Sequence, residues 1–138
     1  CDKVDPSGDS APRAFRMRQD AHSTALGKAI LAHKTREELK EIYKSYSLHK
    51  HTKNTITTLD KLMIDLQRVR KNGYSLNEAE TFDYVYGIGA PIIDTQNRAI
   101  AAISISGTKG SINVKSVVEL SKEVTKTARL ISTKLSDK

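Results

Sequence analysis

An α+β fold is expected for this 138-residue chain, and the order of its hydrophobic patterns is the reason. Short strand-like segments come first. Three helical stretches follow, with apolar residues at three- and four-residue steps. A run of period-two segments parted by turn residues comes next, and one long helical stretch closes the chain. Strands and helices thus fall in blocks, the pattern of an antiparallel meander with helices beside it. The length suits one domain, since a chain near this size buries roughly 68–70% of its unfolded surface.

Each element has a local cause. Residues 5–12 are turn chemistry, rich in Pro, Gly, Ser and Asp, and residues 1–4 are expected to end a strand, so that the chain begins inside a fold. Residues 13–18 alternate basic and apolar side chains and predict a short strand. A helix of small residues is expected over 23–33, capped by Ser23 or Thr24, with Ala25, Ala29 and Ala32 letting other backbones come close. Thr35-Arg36-Glu37-Glu38 is a capping box for a second helix, whose apolar face is Leu39, Ile42, Tyr43 and Tyr46. Residues 48–54 are basic and polar and predict a loop.

Thr57 or Thr58 is expected to cap a third helix with the stripe Leu59, Leu62, Met63, Leu66 and Val69. Asn72-Gly73 stops it, because glycine tolerates the left-handed conformation at a helix end. Strands are expected from 74, over 84–93 and over 98–106, with 94–97 as a hairpin turn. Asn113 is the expected cap of the last helix. There Val114, Val117, Val118, Ser121, Val124, Thr125, Ala128, Ile131 and Leu135 form a face of small and β-branched residues suited to a sheet.

Composition narrows the function. No apolar run approaches the roughly 18 residues that span a bilayer, and no charged-then-apolar leader opens the chain. Cys1 is the one cysteine, so an intramolecular disulfide is impossible and thiol catalysis is disfavoured; a cytoplasmic location is expected. The net charge of +7 is compatible with a nucleic-acid partner. The cations, however, are interleaved with Asp and Glu, and Trp is absent, which argues against a stacking platform. A basic protein- or nucleic-acid-interaction module without a small-molecule ligand stays as the alternative reading.

Several clusters invite chemistry. Leu26-Gly27-Lys28 holds a Gly-Lys pair without the upstream glycine and strand of a phosphate loop. Either Gly27 serves tight packing and Lys28 is solvated, or the helix start at 23–26 holds a carboxylate. Gly87-Ile88-Gly89 marks a bulge or a close approach by another group. Residues 107–111 predict a strand-to-helix loop rather than an anion nest. His49 and His51 have no Cys or acidic partner at ligand spacing, so no metal and no cofactor are expected. His22 is expected to be structural, the alternative being a donor to a bound acid. Glu78 and Glu80 predict a strand-edge pair, and no catalytic constellation is identified.

In the strand at 98–106, Ile100, Ala102, Ser104 and Ser106 share one face, and Ala99, Ala101, Ile103 and Ile105 the other. Both are largely apolar, so both are expected to be covered. Ser104 and Ser106 then need partners: a carbonyl, a water or a ligand.

Four of these pieces stand in an order and spacing that resembles a known family. They are the segment from His22 through Thr24-Ala25-Leu26-Gly27-Lys28 to Ala32, the Gly73-Tyr74 turn, the Ala90-Pro91 strand, and Ala101-Ala102-Ile103-Ser104-Ile105-Ser106-Gly107. Together they resemble the effector-binding domain of the IclR family of bacterial transcription factors, over about residues 22–135. Asn54-Thr55-Ile56-Thr57 and Val69-Arg70-Lys71-Asn72 add to the likeness. Residues 1–21 match less well, and Asp20 stands where a proline is usual.

The resemblance implies a GAF-like fold, a central antiparallel sheet with long helices packed on one face and a ligand cleft on the other. It implies a sensor and not an enzyme: GAF-fold proteins that reduce oxidised methionine use cysteines, which Cys1 alone does not replace. Family members carry an N-terminal winged helix-turn-helix that binds operator DNA. Residues 1–138 are expected to be the effector-binding domain without that module and without its own opening helix and first strands. The implied partners are a small carboxylate effector (a keto acid, sugar acid or aromatic acid) and further copies of the chain in a dimer or tetramer. Carried over by position, the effector-binding residues are Ala25, Leu26, Asn77, Gly87, Ser104 and Ser106. An aspartate is common at position 77, a cysteine at 87 and a glycine at 84. Asn77 would add an amide donor, Gly87 would enlarge the cleft, and Tyr84 would refill it or supply a hydroxyl. These departures point toward a bulkier or more hydroxylated acid, such as a sugar acid.

Overall fold

The computed structural model describes residues 18–137. The strand end expected at 1–4 and all but the last residue of the strand expected at 13–18 lie outside the described residues; Arg18 itself is in no strand.

A 3-10 turn, Ala21–Ser23, leads into α1, Ala25–Leu31. Thr24 caps α1, its hydroxyl accepting from the Gly27 N–H at 3.1 Å. Helix α2, Arg36–Ser45, opens on the capping box: Thr35 Oγ1 accepts from the Glu38 N–H at 3.1 Å, and the Glu38 carboxylate accepts from the Thr35 N–H at 2.7 Å. This cap is exposed, so Thr35→Ala should cost about 1 kcal/mol. Urea unfolding should show a lower midpoint at unchanged slope; an unmoved midpoint would mean that water serves the helix start equally well.

Helix α3, Leu59–Asn72, is capped by Thr58 and ends on Gly73, whose φ of 81° is the left-handed conformation expected there. Leu31 and Ala32, Leu39, and Leu62, Leu66 and Val69 form one buried cluster that joins α1, α2 and α3. Tyr46 falls off the predicted stripe. It lies just past the end of α2, where the helical period no longer applies, and is 69% exposed.

Three strands, β1 (Ser75–Glu78), β2 (Tyr86–Ile93) and β3 (Ala99–Gly107), form an antiparallel sheet in the order β1-β2-β3. The β2–β3 turn is the predicted hairpin, in which the Asp94 carboxylate accepts from the N–H groups of Gln96 and Arg98. The irregularity in the ladder lies between Ile92 and Ile93, at the base of that hairpin. Gly87 and Gly89 therefore mark no bulge.

Helix α4, Val117–Ser136, covers one face of the sheet. Val124, Ala128 and Ile131 pack there on Ala90, Ile92, Ala101, Ile103 and Ile105. It begins later than expected. Asn113 caps a separate turn, accepting from the N–H groups of Lys115 and Ser116, while the Ser116 hydroxyl donates to the Ser111 carbonyl. Val114 is left 89% exposed. Helix α1 lies against the opposite face, over β2. The expectation that both faces of β3 are covered fails at Ile100, 54% exposed, and at Ser106, also exposed, because the described residues on the α1 side do not reach the whole strand.

Candidate functional site

The register places the predicted residues in adjacent rows. Asn77 pairs with Gly87, and Gly87 with Ser106, so these three form one rung across the sheet. Ser75, Gly89 and Ser104 form another rung, two residues along, on the same face. Helix α1 closes on both. A methyl group on Gly89 would stand 2.7 Å from the Ala25 carbonyl oxygen and 2.8 Å from Ser75 Oγ, which is possible for no side chain. The Ser75 hydroxyl donates to that same carbonyl, locking the first turn of α1 to the sheet. At Gly87 the space is larger. A methyl group there would lie 3.4 Å from the Ala25 Cβ and 3.5 Å from Ser106 Oγ, in ordinary contact. The two glycines thus answer the close approach of α1, and Gly87 leaves a hollow about one methyl group deep.

Ala25, Asn77, Gly87 and Ser106 are therefore brought together, with Ser104 one rung away. Leu26, the next residue on α1, is turned by roughly 100° from Ala25 and is half-buried. Asn77 is buried, and its side-chain oxygen accepts from the Glu80 N–H at 2.9 Å. That bond assigns the amide nitrogen as the group left over, and it has no partner among the described residues. The same is true of the hydroxyls of Ser104, half-buried, and Ser106. Three polar groups of one sheet face thus remain available for hydrogen bonding. Tyr84 does not refill the hollow: its ring stacks on Phe82 at 6.0 Å and is 69% exposed.

An open cleft of about 580 Å³ lies at the same end of the sheet, lined by Lys53, Asn54, Ala79, Asp83, Tyr86 and Lys109. Tyr86 is one rung beyond Gly87, and Gly107, its partner on β3, precedes Lys109 by two residues. None of the six predicted residues lines this cleft. Lys53 was not foreseen, and Lys109 lies in the segment read as a loop rather than an anion nest, because an isolated lysine in a polar loop carries no signal that separates a binding group from a solvated one.

Beneath α1 lies an ion cluster that also went unforeseen. Lys28 is 2% exposed, with its ammonium 2.9 Å from Asp65 and 2.8 Å from Glu80. Lys28 is therefore no solvated helix residue and Glu80 no strand-edge group. Burial raises the Glu80 carboxyl above its ordinary value, and Lys28 draws it part of the way back. Glu80 also receives the Glu78 N–H, and its own carbonyl accepts from Thr55. The pair thereby fastens the β1–β2 connection to both α1 and the loop at 46–58.

His22 makes a structural hydrogen bond, as expected. It is buried, and its Nε2 donates to the His49 carbonyl at 3.0 Å. Burial lowers its pKa below the usual histidine value. His51, which lacked an acidic neighbour in sequence, has one in space: its Nε2 is 2.8 Å from Asp20 Oδ2.

With this geometry in place, likeness to known proteins becomes informative. Residues 14–133 match the family described as "Bacterial transcriptional regulator IclR C-terminal". The HTH-type transcriptional regulator BhcR of Paracoccus denitrificans is 33% identical over 115 residues, which is 83% of this chain and 41% of BhcR. The crystal structure of the Thermotoga maritima IclR superposes with a TM-score of 0.85 at 36% identity, covering 93% of this chain and 53% of that one. The inducer-binding domain of a double mutant of PobR from Acinetobacter, in complex with 3-hydroxybenzoic acid, superposes with a TM-score of 0.83 at 25% identity. That match covers 94% of this chain and 76% of the PobR domain. The chain spans less than half the length of the curated relatives it matches. The α+β, GAF-like architecture is common to these structures. No helix among the described residues is long and apolar enough to cross a membrane.

Proposed function

The chain belongs to the IclR family of bacterial transcriptional regulators, whose C-terminal effector-binding domain it matches, and from that premise we propose that it senses a small organic acid. The observation that carries this reading is the rung Asn77–Gly87–Ser106 beneath Ala25, with Ser104 beside it. One face gathers an amide N–H₂ and two hydroxyls without partners among the described residues, next to a small hollow. A few convergent polar groups on a largely apolar wall suit a small polar ligand. The acid lies at the Ser106 end of the rung, its carboxylate taking the Asn77 and serine donors. Lys53 and Lys109, set against the one carboxylate of Asp83, leave that end of the sheet with a net positive lining that favours an anion. An aromatic acid bound by the related PobR domain supports a carboxylate as the ligand class.

Asn77 and the hollow at Gly87 favour a hydroxylated acid, a sugar acid before a short keto acid. In the whole regulator, binding would favour one arrangement of subunits in a dimer or tetramer and so shift the DNA affinity of an attached helix-turn-helix domain.

A thermal-shift screen against sugar acids, keto acids and aromatic acids tests this. An acid present at a hundred times its dissociation constant should add about 2.7 kcal/mol to stability. Ser104→Ala should leave the unfolding midpoint near that of the parent. It should weaken the best acid about tenfold, the worth of one hydrogen bond to a charged group. A screen without a single shift would sink the reading, as would undiminished affinity in the alanine variant.

A further inference from the structure

The 3-10 turn ahead of α1 and the loop at 46–58 meet at three side chains that the effector reading leaves unused: Asp20, His22 and His51. One donor atom from each lies within 4.8 Å of those of the other two. We propose that these residues form a binding site for a zinc-class divalent cation, with Asp20 supplying oxygen and the two histidines nitrogen.

The donor set is the first reason. Two imidazoles and one carboxylate are borderline ligands of the kind zinc, nickel and cobalt select over calcium or magnesium. Three protein ligands with an open fourth position form a familiar zinc arrangement. The histidine wiring is the second reason. A carbonyl can only accept, so the bond to His49 puts the His22 proton on Nε2, and Nδ1 is the nitrogen that would hold the ion. A ligating histidine commonly donates its other N–H to such an outer partner, which fixes the tautomer and the ring. The His22 and His51 rings are stacked, with centroids 6.2 Å apart.

The backbone behind each ligand is held independently. The Asp20 carbonyl accepts from the Ser23 N–H and from the hydroxyls of Ser23 and Thr24. The His51 N–H donates to Thr55 Oγ1, and the neighbouring Thr52 hydroxyl donates to the Ala79 carbonyl. Bonds of about 2.0–2.2 Å in a tetrahedron hold ligand atoms roughly 3.3–3.6 Å apart. His51 and Asp20 are already closer than that, at 2.8 Å, so the ion would replace the hydrogen bond between them. Their side chains are 35% and 39% exposed, which gives the ion a path in and the ligands freedom to adjust around buried His22. The resemblance leads one to expect proline where Asp20 stands, so the site is a feature of this chain and not of the family pattern. A bound ion would clip the loop to the start of α1, the element that closes over the candidate effector site.

Calorimetric titration of the chelator-treated chain with zinc chloride tests the proposal, alongside visible spectra with cobalt. The expected result is one ion per chain and intense tetrahedral cobalt bands. His51→Ala and Asp20→Asn should each weaken zinc at least tenfold while the far-ultraviolet circular dichroism is kept. His33→Ala and Cys1→Ser should bind as the parent does. Absence of saturable binding in the parent overturns the site. Parent-like binding by His51→Ala and Asp20→Asn also overturns it, and so does loss of binding in Cys1→Ser. All these readouts are independent of any organic acid, so a failure here leaves the effector reading standing, and the reverse holds too.

Discussion

Replacing Lys28 with methionine should cost about 3–5 kcal/mol at pH 7, the penalty for stripping one partner from a buried ion pair. Methionine keeps most of the volume, so the loss reports charge rather than a cavity. What remains is Glu80, 5% exposed, with no ammonium within reach, and Asp65 at the edge of the same space. Burial already holds the Glu80 carboxyl above its ordinary value, and Lys28 is the largest influence pulling it down. In the variant it rises further. A carboxyl whose folded pKa exceeds its unfolded value stabilises the fold fully below the unfolded value and loses that contribution as pH rises through the folded one. The deficit should therefore be largest at pH 7 and shrink toward pH 4.5, where Glu80 takes up a proton and no longer needs a counterion. Urea unfolding at the two pH values measures the difference. Adding Glu80→Gln to the methionine variant should recover a large part of the loss at pH 7. An equal deficit at both pH values, or one below about 1 kcal/mol, would show that the ammonium contributes packing and little else.

That cluster also shows where sequence reasoning stops. The caps at Thr24, Thr35 and Thr58, the Gly73 stop and the hairpin at 94–97 are local, and each is decided by residues within a few positions. The stripes of α3 and α4 are periodic, and periodicity survives without knowledge of the partner surface. Lys28 and Glu80 are 52 residues apart, and His51 and Asp20 are 31 apart, so no spacing rule connects them. A lysine in a helix is solvated by default, and only the folded structure supplies the carboxylates that reverse the default. The start of α4 was set too early for a different reason. Asn113 does cap, but it caps a turn of its own, and the helix proper begins only at Val117. The candidate site lies between these cases. Period two puts Ser104 and Ser106 on one face, but their alignment with Asn77 and Gly87 depends on register, which came from the resemblance and not from the residues. Leu26 was carried over in the same way.

Gly27→Ala should be more damaging than the same change at Gly73. In an open helix the change would help by about 1 kcal/mol, since alanine has the better helix propensity. Here the new Cβ would stand 2.3 Å from both the Cα and the carbonyl oxygen of Ala21 and 2.6 Å from its carbonyl carbon. Those are backbone atoms and no rotamer change moves them. The 3-10 turn is itself tied down: Thr81 donates to the Ser23 carbonyl at 2.7 Å, and His22 donates to His49. On its other side α1 is pressed against the sheet at Gly89. Helix and turn must therefore separate by about 1 Å, with loss of these bonds, so a net cost of about 3 kcal/mol is expected, at the upper end for overpacking. Gly73→Ala provides the comparison. Its Cβ would meet nothing within 4 Å, so that variant pays only for its φ of 81°, about 1–2 kcal/mol. Because α1 also closes over Gly87, a shifted helix should blunt any ligand-induced thermal shift, whereas Gly73→Ala should leave it intact. Equal stability losses in the two variants would mean that the turn yields easily and that the tight seat of α1 is not what fixes the candidate site.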